Sequence, residues 1–439
     1  MASLFIHSAS QLATLNGPNG PRAGSAQGEI GLIENGAVYC EGQRIVDAGP
    51  TDLVRSRHPE SIDAETTIDA AGHAVLPGLV DCHAHPVFAG DRSDEYAMRL
   101  AGKSYREILA SGGGILKSVR LTRQATHAEL AGGLHQRLNA ALLLGTTTME
   151  AKSGYGLDEP TERKILEVIR TAGVPPASPI LAGGNSSLPS REPRSFPCHP
   201  IDLVPTLLFA HAIPTGMSAG QMVEASIVAL SGLAPLAEFI DVFCEKGIFE
   251  IEQSRKILEA GKHAGLKVKV HADEMCLLGG ARLAASLGAV SADHLLFADD
   301  EGIADMRRSG AIAVFLPGTP FVLRVAYADA RRWITGQVPV ALGSDLNPNC
   351  YCESLPFAFA LAVYEMKMTP AEALVAVTIN AAAAICRENE IGSIAHGKLA
   401  DIVILKGPSY LHLGYHAGGN PVDTVIKRGR LVVRDGQRL

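Results

Sequence analysis

Two histidines one residue apart, His83 and His85, close the apolar run AVLPGLVDCHAH (residues 74–85). Residues two apart in a strand point to the same side, so both imidazoles can face one space. Three more residues of metal-binding type stand where later apolar runs end. They are His271 in LKVKVHADE (266–274), His294 in VSADHL (290–295) and Asp345 in VPVALGSD (338–345). Neutral imidazoles and a carboxylate suit a borderline divalent ion such as zinc or iron(II). Such a set leaves a coordination position for water, the mark of a catalytic rather than a structural site. A single histidine at a strand end also serves as a cap or a loop hydrogen-bonding group; the joint placement is what points to a metal.

These residues need a scaffold that brings distant strand ends together. Besides the four runs above, the chain has TTTMEAKS (146–153), DLVPTLLFAHA (202–212), FIDVFCEKG (239–247) and AIAVFLPG (311–318). Near-continuous apolar strands alternating with helices indicate a parallel sheet covered on both faces. Eight such units fit a (β/α)8 TIM-like barrel, whose functional side chains sit at the carboxyl ends of the strands; a doubly wound open sheet is the alternative. Helices are legible between them. Thr369-Pro370-Ala371-Glu372 opens AEALVAVTINAAAAI with a cap, a proline and a glutamate at the third position. The segments 159–173 and 254–265 show helical spacing and end on glycine.

Both ends of the chain differ in character. Residues 28–50 read as short strands joined by Asn-Gly and Glu-Gly turns, and residues 397–437 read alike. We therefore expect one composite β-sandwich domain from residues 1–72 plus 393–439, beside a catalytic barrel over 73–392. Residues 174–200, rich in Pro, Gly and Ser, read as a long excursion.

Composition narrows the function. A chain of 439 residues with 47% hydrophobic residues supports a barrel-sized core. No apolar run approaches the ~20 residues that cross a bilayer, and the N-terminus lacks the pattern of a signal peptide. Net charge is −7 with acids and bases interleaved, which argues against nucleic acid as a partner. The eight scattered cysteines read as reduced thiols of a cytoplasmic protein.

PGLVDCHAH, VHADE, SADHL and LGSD together resemble the amidohydrolase superfamily, and GKLADIVIL and VIKRGRLV of the β flank extend the resemblance over nearly the whole chain. FAGDRSDEYAMRLAGKSYREILASGGGI (88–115) and MEAKSGYGLD (149–158) are similar to the imidazolonepropionase branch, as are IDVFCEKGIFE, LFAHAIP and SDLNPN. The resemblance implies hydrolysis of 4-imidazolone-5-propanoate to N-formimidoyl-L-glutamate in histidine catabolism, and a homodimer. It implies one divalent metal per chain, zinc or iron, on His83, His85, His271 and Asp345. Binuclear relatives bridge two ions with a lysine at the end of strand four, where this chain has Cys244-Glu245. Glu245 then reads as a buried carboxylate bonded to nearby backbone, and Lys152 as half of a structural ion pair.

By the same resemblance Glu274 handles the proton of a water whose pKa the ion lowers, His294 polarises the carbonyl, and Asp345 doubles as a proton shuttle; the order of Glu274 and Asp345 stays open. Glu274 also reads as a helix N-terminal charge. A propionate tail calls for a bidentate arginine with amide or hydroxyl donors. Arg92, Tyr155 and Asn347 match the family's binding positions, and His211 one that contacts the ring. Tyr105 and Asn349 are further expected contacts. For Arg92 the plain alternative is a solvent-facing loop charge, and for both tyrosines core packing. After Asn347-Pro348 many relatives carry glycine and a small hydroxyl residue, so Asn349 and Cys350 are a departure in that loop. Two rivals remain: a ring-amine deaminase of the same superfamily, which has no need of Arg92, and a non-catalytic barrel, which would have lost metal ligands.

Overall fold

The computed structural model describes residues 2–18, 20–103, 107–108, 111–173 and 198–439. Near its N-terminus run β1 (Ser3–Ala13), β2 (Leu32–Glu41), β3 (Arg44–Pro50), β4 (Thr66–Asp69) and β5 (Ala74–Pro77). The barrel strands follow: β6 (Leu79–Asp81), β7 (Thr146–Lys152), β8 (Asp202–Ala210), β9 (Phe239–Cys244), β10 (Lys267–Ala272), β11 (Ser291–His294), β12 (Ile312–Phe315) and β13 (Val340–Leu342). All eight expected barrel runs thus contain strands, and neighbours pair in parallel in chain order.

β6 and β13 are the two ends of this sheet. The gap between them is bridged just past the strands, where Asp345 N donates to His83 O (2.9 Å) and His85 N to Leu346 O (2.8 Å). Gly343 permits this approach, because a Cβ there would stand 2.9 Å from His83 Cβ. The seam of the barrel therefore lies among the residues expected to bind metal.

The C-terminal strands β14 (Ile402–Leu405), β15 (Val422–Lys427), β16 (Arg430–Arg434) and β17 (Gln437–Arg438) join the N-terminal ones in one nine-stranded sheet. Its path curls, since Ile45 N donates to Lys398 O and Ala400 N to Gln43 O, both at 2.9 Å. Leu4, Ile6, Val38, Val75, Ile402 and Ile426 share the enclosed apolar cluster. The run 74–85 divides: β5 pairs with β1 and β14, and only β6 enters the barrel. The terminal sheet thus extends past residue 72 to Pro77. The Glu41-Gly42 turn forms as expected, but Asn35-Gly36 lies inside β2 opposite an irregularity in β1, with Asn35 at φ 48°.

Local signals hold in the helices. Thr369 and Glu372 form the expected capping box, although that helix breaks at Thr378 into Pro370–Ala376 and Ile379–Ala384. One segment, Ala219–Leu236, does reach 18 residues at mean hydropathy 1.2, long and apolar enough to cross a membrane by those measures. Here it flanks β8, with Met222, Val223, Leu230 and Leu233 buried.

Candidate metal centre and active site

His83 and His85 follow β6 on its inward side, and His271 lies on β10 with Lys269 two residues before it. His83 Nε2 and His85 Nε2 stand 3.3 Å apart, and His271 Nε2 is 3.4 Å from His85 Nε2. Asp345 Oδ1 is 3.6 Å from His83 Nε2 and 3.7 Å from His85 Nε2. Ligands about 2.1 Å from a tetrahedral ion stand about 3.4 Å apart, so this donor set fits a zinc- or iron-sized cation. All four side chains are buried. Burial first, and the Lys152 charge second, hold His83 well below the ordinary imidazole range; burial and His211 do so for His85. Both rings are therefore neutral, and their facing nitrogens offer lone pairs to a cation.

The far sides of two rings are held. Asp293 Oδ2 lies 2.6 Å from His83 Nδ1, and Asp241 Oδ2 lies 2.8 Å from His271 Nδ1. Carboxylates in this position orient metal-binding imidazoles. For His271 burial acts downward, but Asp241 outweighs it and the net shift is upward. Thr319 Oγ1 donates to Asp345 Oδ2.

His294 reaches the site differently. Ser291 and Asp293 face one way and bond each other at 2.6 Å, so strand alternation would turn His294 away. Its φ of 74° brings the ring back, to 5.4 Å from the His83 ring and 5.2 Å from the His271 ring between centroids. Asp345 (φ 51°) and Asp273 (φ 50°) are left-handed too. Such backbone costs about 1–3 kcal/mol per residue and concentrates at functional sites.

Glu274 Oε2 is 3.6 Å from His294 Nε2. Burial, reinforced by the Asp345 carboxylate, pushes the Glu274 carboxyl up to about 8. The helix-start role falls to its neighbour: Asp273 accepts from the backbone of Leu278, Gly279, Gly280 and Ala281 at the start of helix Gly280–Leu287. Glu245 accepts from Met275 N at 2.8 Å and Lys246 N at 3.0 Å, as the backbone-bonded reading expects. Lys152 is ion-paired with Asp241 (2.7 Å) and Glu150 (3.1 Å).

The expected substrate residues divide into two groups. Tyr155 and His211 are at the centre: the His211 ring stacks on His85 (5.1 Å, 15°) and Tyr155 lies 5.4 Å from it. His211 Nδ1 meets Gly154 O at 3.1 Å, and Gly154 (φ 113°) has no room for a Cβ, which would stand 2.8 Å from that nitrogen. Arg92, Asn347 and Asn349 have local partners instead. Arg92 Nε and Nη2 both donate to Glu95 Oε2, at 2.9 and 2.6 Å. The Asn347 carboxamide organises its own loop through Asp345 O, Asn349 N and Cys350 N, and Asn349 Oδ1 accepts from Arg99. Tyr105 lies outside the described residues, as does most of the 174–200 excursion.

Several residues escaped the sequence reading. Glu95 ties Arg92 to Gly114 N (2.9 Å), and Glu162 accepts from Gly154, Gly156 and Leu157, which accounts for the GDRS…GGGI and KSGYG runs as loop architecture. Asp241 and Asp293 were also missed. Their signal was present: charged residues at inward positions of otherwise apolar strands.

A barrel with this polar centre at its seam and a sheet made from both termini defines a hydrolase of the amidohydrolase class, and the amidohydrolase family profile matches residues 247–432. An adenosine deaminase from Xanthomonas campestris with bound zinc shares the fold, with a TM-score of 0.70 at 16% identity over 99% of this chain and 94% of that one. Closer in sequence are the imidazolonepropionases of Geobacillus kaustophilus, 44% identical over 100% of this chain and 99% of its own length, and of Symbiobacterium thermophilum, 46% identical over 99% and 98%. The chain belongs to the imidazolonepropionase family and is a hydrolase of a cyclic-amide C–N bond.

Proposed function

We propose that the chain opens the ring of 4-imidazolone-5-propanoate to give N-formimidoyl-L-glutamate, using one divalent ion, zinc or iron, held by His83, His85, His271 and Asp345. The observation that carries the metal reading is the convergence on His85 of His83 and His271 Nε2, at 3.3 and 3.4 Å, with Asp345 Oδ1 3.6–3.7 Å from His83 and His85. When bound, the ion supplies Lewis acidity and lowers the pKa of a water to around 7.

The chain's own residues divide the remaining work. Both oxygens of Asp345 are engaged, one toward the imidazoles and one with Thr319. Glu274 is therefore the group that takes the proton as water adds to the ring carbonyl, and it returns a proton to the nitrogen as the C–N bond breaks. His294, kept neutral by burial, donates its N–H to the carbonyl oxygen as negative charge develops there. Tyr155 and His211 flank the ring, while Arg92 holds the propionate, with Tyr105, Asn347 and Asn349 completing that end. The missing need for a carboxylate clamp is what disfavours a ring-amine deaminase.

Elemental analysis of purified protein, paired with the ultraviolet loss of imidazolone, tests this reading. One equivalent of zinc or iron and turnover of the propanoate support it; two tightly bound equivalents, or equal turnover of an imidazolone lacking the carboxylate, overturn it. Light scattering tests the homodimer that the family resemblance implies.

A further inference from the structure

Below the imidazoles the barrel holds five charged side chains, Glu150, Lys152, Asp241, Lys269 and Asp293, all fully buried or nearly so. Lys269 Nζ neutralises Glu150 Oε2 at 2.6 Å and also meets Cys82 O at 2.9 Å. Thr206 Oγ1 donates to Glu150 Oε1 at 2.5 Å. Lys152 is placed differently. Besides Glu150 Oε1 at 3.1 Å, its Nζ is 2.7 Å from Asp241 Oδ2 and, at ion-pair distance, 3.6 Å from Asp293 Oδ2. Those two aspartate oxygens are the same ones that hold His271 Nδ1 (2.8 Å) and His83 Nδ1 (2.6 Å).

We propose that Lys152 is a positioning residue that couples two metal-binding imidazoles, because its ammonium is shared by the two carboxylate oxygens that orient the rings of His83 and His271. Mere neutralisation would be satisfied by either oxygen of each carboxylate. The other oxygens are already fixed: Asp241 Oδ1 accepts from Val242 N (2.7 Å) and His271 N (3.1 Å), and Asp293 Oδ1 from Ser291 (2.6 Å). Each carboxylate is thus pinned on one side to the barrel wall and presents the remaining oxygen to one imidazole and to Lys152. Removing the ammonium leaves the buried Asp241 and Asp293 less compensated against each other, and the rings beside them shift with them. Outer partners of this kind change metal affinity by roughly 10–100-fold.

The inference rests on the metal reading above, and the test separates the two. Lys152→Met, Lys152→Arg, Asp241→Asn and the Lys152→Met/Asp241→Asn double variant are stripped of metal and titrated with cobalt(II), with the visible ligand-field spectrum and chelator competition as readouts. Wild type should bind one cobalt with a four-coordinate spectrum; if it binds none, the metal reading fails first. Lys152→Met should bind roughly 10–100-fold more weakly with an altered spectrum, Lys152→Arg should recover part of the affinity, and the double variant should lose less than the two single losses combined. A folded Lys152→Met with affinity within twofold of wild type, or tighter, and an unchanged spectrum overturns the proposal, whatever its thermal stability. Should Lys152→Met not fold, Asp241→Asn decides alone: unchanged cobalt affinity and spectrum there overturn it equally.

Discussion

Two layers of one barrel interior put buried polar side chains to opposite ends, and only β10, through Lys269 and His271, contributes to both. In the lower layer, Glu150, Lys152, Asp241, Lys269 and Asp293, each charge meets an opposite one within 3.6 Å, two ammoniums serving three carboxylates. In the upper layer, His83, His85, His271 and Asp345 turn nitrogen and oxygen lone pairs toward one another. Burial is alike in both, so what differs is whether the polar groups face opposite charges or one another's lone pairs. Paired charges support the barrel, whereas converging lone pairs are an arrangement that can hold a cation.

The largest expected effect tests the upper layer at its weakest point. His271→Ala should leave a folded barrel that retains little metal and turns over at background; metal near one equivalent in this variant would break the contrast. Glu274→Gln should keep the metal and lower kcat by roughly 10²–10⁴-fold, the scale of a lost general base. The base must be ionised to act, so kcat/KM should rise with pH along an acidic limb. Burial and Asp345 set that limb near 8, a bound cation moves it lower, and Glu274→Gln removes it.

In the lower layer Lys269→Met leaves Glu150 short of its closest cation. Breaking a buried pair from one side costs about 3–5 kcal/mol, so the urea midpoint should fall sharply while the residual folded protein keeps its metal. Loss of metal without loss of stability would mean that the layers are not separable at this residue. Arg92→Met should act mainly on KM, with kcat/KM falling roughly one to two powers of ten, as for a truncated charged hydrogen-bond partner of about 1.5–3 kcal/mol. Arg92→Lys should recover only part, since a point charge lacks the planar fork. The smallest effect is expected at Thr319→Val, which removes one bond to Asp345. A loss on the order of 1 kcal/mol should be visible as slightly weaker metal retention in chelator competition.

The eight strands and the helix start at Thr369 were legible because near-continuous apolar runs and capping residues are local signals. The histidines and Asp345 were legible because they end those runs. His294 was found for an incomplete reason: alternation alone would have turned it outward, and the left-handed φ that brings it back has no signature in SADHL. Glu274 and Asp273 are adjacent acids, and only the structure divides the roles, assigning the helix start to Asp273. Arg92 was read without its partner three residues on, Glu95, which is buried and pairs with the guanidinium at 2.6 Å. The lower layer was legible only as misfit charges inside apolar strands, since pairing among four strands is a property of the closed barrel.

The seam between β6 and β13 carries a mechanical consequence. His83 and Asp345 are separated by 262 positions of chain, 345 minus 83, yet the barrel closes between them through a few backbone bonds rather than a full ladder. A cation gripping both sides would act as a clasp on a very long loop, doing for this enzyme what a cross-link does in a small secreted domain. Holding the catalytic water and holding the cylinder shut would then be one event, and an emptied centre would breathe first along the line where chemistry takes place.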